Sequence, residues 1–126
     1  MRLQNKIVRA VNKTRGTLLG GNIRVAETGL SRMIGLLGER TLQPGDGLLI
    51  VPSQGVHTMG MLFPIDVAVL DNDWNVLALR RSMRRFRMTR IFWQAAAVLE
   101  LPPGMLDSTS TSIGDNLAFD RVEEIP

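Results

Sequence analysis

Four short apolar runs, each shut off by a turn cluster, limit what this chain can fold into: Leu48 to Val51, Ile65 to Leu70, Asn75 to Leu79 and Ala95 to Leu101. The first lies between Pro-Gly-Asp-Gly and Pro-Ser-Gln-Gly, and the second follows Pro64. Asp71-Asn72-Asp73 turns the second run into the third, and Pro102-Pro103-Gly104 ends the fourth. Runs this short suit strands, because a helix shows its period only over about ten residues or more. Asn22 to Ala26 alternates in polarity after Gly20-Gly21, and Asn116 to Val122 follows the Gly114-Asp115 turn, so both read as further strands. A single helix is expected, capped by Thr28 and running to Gly38, since Leu30, Met33, Ile34 and Leu37 recur at helical spacing. The expected fold is α+β, mainly β: a compact antiparallel β-barrel or sandwich-like sheet with one short helix packed on it. At 126 residues the chain is the size of one domain. Residues 22–122 are expected to form it, with an arm or extra strand at 1–21 and a tail at 123–126.

Several function classes drop out on composition. The chain has no cysteine, which excludes thiol catalysis, disulfides and thiolate metal sites. No stretch approaches the roughly 18 apolar residues of a membrane span. The basic start, MRLQNKIVRAVNKTRGTLLGG, lacks a signal-peptide core, so a cytoplasmic location is expected. Charge is segmented: residues 1–26 and 80–90 each carry six basic and no acidic groups, whereas the other segments are net acidic. That pattern favours a local basic surface for an acidic partner.

Two carboxylates stand inside runs built for burial. The period of two puts Ile65, Val67 and Val69 on one side of their strand and Asp66 on the other with Ala68 and Leu70. By the same count Glu100 shares a side with Val98, away from Leu99 and Leu101. A carboxylate so placed needs a donor, for which His57, Arg32, Arg40 and backbone N–H groups are candidates. His57, the chain's one histidine, Asp66 and Glu100 could form a general acid–base or metal site. Alternatively each carboxylate ties down backbone as a buried hydrogen-bond acceptor. The second reading is preferred, since the spacing matches no metal or catalytic signature. No cofactor is expected.

Asp107-Ser108-Thr109-Ser110-Thr111-Ser112 reads as a polar loop, with no nucleophile elbow around its hydroxyls. Phosphate-loop and dinucleotide fingerprints are absent. RRSMRRFRMTRIFW, residues 80–93, offers Arg80, Arg81, Arg84, Arg85, Arg87 and Arg90 interleaved with Phe86 and Trp93. Arginines that neutralise phosphates beside rings that stack on bases would suit single-stranded nucleic acid. An acidic protein surface would satisfy the same arginines, and a solvated edge strand would need no ligand at all.

The succession VHTMGMLFPIDVAVLD, AAAVLELPPG and IGDNLAF, preceded by GLSRMIGLLGER, resembles the small bacterial and archaeal family known as domain of unknown function 192. The resemblance covers about residues 22–122 and implies a single β-rich domain with one helix packed on it, without a settled activity. By motif position it singles out His57, Gly60, Met61, Pro64 and Asp66, then Glu100 and Gly104, then Gly114 and Asp115. Two features depart from the family pattern: the missing export signal and the arginine density of residues 80–93. The resulting expectation is a non-catalytic binding or accessory domain that offers its arginine-rich surface to an acidic partner. The alternatives are an enzyme site at His57, Asp66 and Glu100, or single-stranded nucleic-acid binding through residues 80–93.

Overall fold

A computed structural model describes residues 6–26, 42–52, 64–83 and 92–122. Within them lie seven strands: β1 (Ile7–Asn12), β2 (Thr17–Ala26), β3 (Asp46–Ile50), β4 (Ile65–Leu70), β5 (Val76–Met83), β6 (Ala97–Leu101) and β7 (Leu117–Arg121). One short helix, α1 (Met105–Ser108), stands between β6 and β7. The strands make one sheet in the order β5-β4-β6-β3-β2-β1-β7. It curls into a half-barrel whose end strands touch at one corner, where Asn75 bridges Asn116 and the N–H of Val76 donates to the Asp115 carbonyl.

The mainly β expectation holds, and β4 occupies the expected residues 65–70. Asp71 makes the turn that follows: its Oδ1 accepts the N–H groups of Asp73 and Asn75, both at 2.9 Å. The helix expected over 28–38 lies outside the described residues. Residues 7–12 form a paired strand between β2 and β7. One neighbour pair departs from the antiparallel pattern, because β2 and β3 run parallel. A tight hairpin cannot join parallel neighbours, so the chain between Ala26 and Asp46 serves as the crossover that such a pair requires.

Both faces of the central strands are buried, which is why β4 and β6 read as continuous apolar runs rather than alternating ones. The inner face draws residues from all seven strands and α1, among them Leu19, Ile23, Leu49, Leu70, Leu99, Leu106 and Leu117. The outer face gathers Leu48, Ile50, Ile65, Val67, Val69 and Val98 with Leu42 and Ala95 from flanking loops. No helix among the described residues is long and apolar enough to cross a membrane.

Gly47 marks a close approach between β3 and β6. A Cβ there would meet the Glu100 carbonyl oxygen at 2.8 Å and Ile23 Cδ1 at 2.7 Å. The backbone contact cannot swing aside, so Gly47→Ala should cost about 1–3 kcal/mol through overpacking. Urea denaturation measures this as a lower midpoint at constant slope. A wild-type midpoint would mean that β3 and β6 have slack at this point.

Candidate functional site

Alternation along β4 places Asp66 on the inner face, opposite Leu101 of β6. On its other side β5 carries an extra residue: Ile65 pairs with Met83, but Val67 pairs with Arg80. Ser82 sits in this bulge with φ 49°, and its N–H donates to Asp66 Oδ1 at 2.8 Å. Asp66 Oδ2 accepts two further backbone donors, the N–H groups of Gly104 and Leu106, each at 3.0 Å. Gly104 enters α1 with φ 92°, a conformation that glycine adopts without a Cβ penalty. One fully buried side chain therefore ties β4 to the β5 bulge and to the first turn of α1. Both of its oxygens are occupied by backbone donors, so a metal ion or a substrate proton would have to displace structural bonds.

Glu100 is equally buried but projects the other way. It lies directly opposite Val67 of β4 and Leu48 of β3, both members of the outer cluster. Directly opposed residues share a face. Val67 follows Asp66 along β4, so Asp66 and Glu100 leave the sheet on opposite sides. The sheet thus separates two members of the expected three-residue constellation. The third, His57, lies outside the described residues. Among the described residues no three His, Cys, Asp or Glu side chains are placed to hold a metal ion.

A buried polar cluster, partly within the expected polar loop of residues 107–112, lies where β1, β7 and the end of α1 meet. Asn12 Nδ2 donates to Asp115 Oδ2 at 2.9 Å and to Thr111 Oγ1 at 3.1 Å, while its Oδ1 accepts the Arg15 N–H. Asp115 Oδ2 also accepts from Arg15 Nε at 3.1 Å and from the Ser112 N–H at 2.9 Å. Thr109 and Thr111 share a hydroxyl contact of 2.8 Å, and the Thr109 hydroxyl donates to the Met105 carbonyl at 2.6 Å. The signal was present as alternate Ser and Thr before Gly114-Asp115, but nothing in one sequence says that Asn12 arrives beside them.

Burial alone would raise the Asp115 pKa, but hydrogen bonds from Asn12, Arg15 and Ser112, with the Arg15 charge, hold it below the ordinary aspartate value. Since the folded value is the lower one, this stabilisation is complete above the unfolded pKa of about 4 and is lost as pH falls through the folded value. In Asp115→Asn the unfolding free energy should be lower at pH 7 and decline less steeply below about pH 4. Acid titration followed by circular dichroism reads both effects. An acid-side slope equal to wild type would refute the assignment.

Of the expected binding residues, Arg80 and Arg81 are exposed on β5, the end strand of the sheet. Arg80 Nη1 donates to the Leu79 carbonyl at 2.8 Å, and Arg81 Nε meets Asp107 Oδ1 at 2.7 Å. Trp93 is 78% exposed. Arg84, Arg85, Phe86, Arg87 and Arg90 lie outside the described residues. Two surface hollows, of about 310 Å³ beside Arg24 and Asp46 and about 370 Å³ beside Arg9 and Asp120, are lined by neither Asp66 nor Glu100.

The family model described as Uncharacterized ACR, domain of unknown function 192, matches residues 10–119. The UPF0127 protein of Thermococcus sibiricus is 31% identical over 122 residues, covering 90% of this chain and 76% of that one. The UPF0127 protein of Thermococcus gammatolerans is 26% identical over 119 residues, with the same coverage of 90% and 76%. A crystal structure of a protein of unknown function from Novosphingobium aromaticivorans aligns with TM-score 0.73 at 18% identity, covering 89% of this chain and 83% of that one. Likeness at that identity speaks for the fold alone.

Proposed function

Because the chain belongs to the domain of unknown function 192 family, which is described as uncharacterised, we propose a function from the chain's own geometry. It is a non-catalytic binding or accessory domain that presents the arginines of β5, and those that follow it in the sequence, to an acidic partner. The observation that carries this reading is the division of roles among the charged groups. Asp66 is occupied by three backbone donors, and Glu100 leaves the opposite face of the sheet. The exposed charge on the end strand, by contrast, is arginine. A cytoplasmic setting belongs to the same proposal.

Fluorescence anisotropy with an end-capped, labelled peptide of alternating Glu and Val tests this. Charge reversal of Arg80, Arg81, Arg84, Arg85 and Arg87 to Glu should weaken binding at least tenfold, as rim charges steer an oppositely charged partner. In an Arg80, Arg81 double variant the thermal midpoint should move little, because these two exposed arginines contribute little to stability. Retained affinity in this variant would overturn the proposal. Trp93, which is exposed and follows the arginines in sequence, keeps single-stranded nucleic acid as the rival ligand. A labelled oligonucleotide that fails to bind at low salt eliminates it.

A further inference from the structure

We propose that the edge of β5 away from β4, unpaired beyond the Val76 corner among the described residues, accepts an extended acidic peptide as an added strand, with Asp107 as the internal carboxylate that the peptide displaces from Arg81. This deepens the acidic-partner reading above and rests on it. β5 ends the sheet, and among the described residues only β4 pairs with it along its length. Its other edge has already begun a ladder. At the corner the Val76 N–H donates to Asp115 O, and the Val76 carbonyl accepts the Gly114 N–H at 2.8 Å. Beyond that corner Arg80 and Arg81 are exposed, up to the bulge at Ser82, whose N–H is already given to Asp66. Strand addition to such an edge supplies affinity through main-chain hydrogen bonds and specificity through alternate side chains.

Charge selects the occupant. A second copy of this chain would set arginine against arginine, and like charges directly opposite destabilise a pair of strands. Exposed edges are commonly protected in this way. An acidic strand turns the same charges into complementary ones. A carboxylate is already seated here, since Asp107 Oδ1 lies 2.7 Å from Arg81 Nε with its side chain 71% exposed. An exposed pair of this kind is held weakly, so a peptide carboxylate that also gains main-chain bonds can replace it.

The test compares the Glu-Val peptide with its fully N-methylated form, which keeps the charge and loses every backbone donor. Wild-type protein should bind the methylated peptide at least tenfold more weakly. Asp107→Asn, which removes the competing carboxylate, should bind the unmethylated peptide about two- to fivefold more tightly. Equal binding of the two peptides overturns strand addition and leaves the acidic-partner reading standing. If neither peptide binds, or only a single-stranded oligonucleotide does, both readings fall. Wild-type affinity in Asp107→Asn removes the displacement step from the proposal.

Discussion

Asp66→Ala is expected to lower the unfolding free energy by about 3 kcal/mol or more, because it leaves three backbone donors without their acceptor. The donors are not equivalent. Leu106 is fully buried, whereas Ser82 is exposed, so water can reach the Ser82 N–H more readily than that of Leu106. That difference makes Asp66→Asn informative. Its single amide oxygen can still serve Gly104 and Leu106 together, as Oδ2 does now, while its NH2 group faces the Ser82 N–H. The asparagine variant should therefore lose roughly a third to a half of what alanine loses, since a buried donor left unmet costs more than one that water can reach. Equilibrium denaturation of both variants measures this. Alanine within about 0.5 kcal/mol of wild type, the range of ordinary surface changes, would mean that Asp66 is not an anchor.

Asn12→Ala should be the other large loss, about 2–4 kcal/mol, because it takes a donor from each of buried Asp115 and Thr111, removes the acceptor of the Arg15 N–H and breaks a satisfied network. The bonds that it removes join residues 99 and 103 positions apart, near the two ends of the chain. Asn12→Asp probes the same point with charge. It sets a second carboxylate against Asp115 Oδ2, which Asn12 Nδ2 now meets at 2.9 Å. Two carboxylates so close cannot both ionise cheaply. The aspartate variant should consequently be further from wild type at pH 7 than at pH 4, in the same direction as the Asp115→Asn deficit, which also shrinks in acid. A deficit independent of pH would contradict the electrostatic account of this cluster.

Much of the sheet was legible in the sequence for an identifiable reason. β4 and β6 are short, apolar and bounded by Pro, Gly or Asp, and the Asp71 turn carries its own hydrogen-bonding side chain. Faces within a strand were legible too, since alternation alone sets Asp66 apart from Val67. What could not be read was register between strands. Pairing Asp66 with Leu101, rather than with Glu100, puts the two acids on opposite faces. A shift of one residue would have put them on the same face. The short helix α1 escaped for a related reason. One turn over Met105–Ser108 shows no period, and its first N–H groups are held by Asp66 from a strand nearly 40 residues earlier. The parallel placement of β3 beside β2 likewise depends on a long crossover, about which local pattern is silent.

Asp66 holds the fold, and the proposed binding falls to the arginines of β5. The measurement that separates these most directly is the affinity of Asp66→Asn for the alternating Glu-Val peptide, taken beside its thermal midpoint. The account predicts a midpoint several degrees below wild type, as about 1 kcal/mol shifts a domain of this size by roughly 3–6 °C, with peptide affinity unchanged at a temperature where the variant is fully folded. A wild-type midpoint with the affinity lost would place Asp66 in the binding site and contradict the division of roles on which the proposal stands.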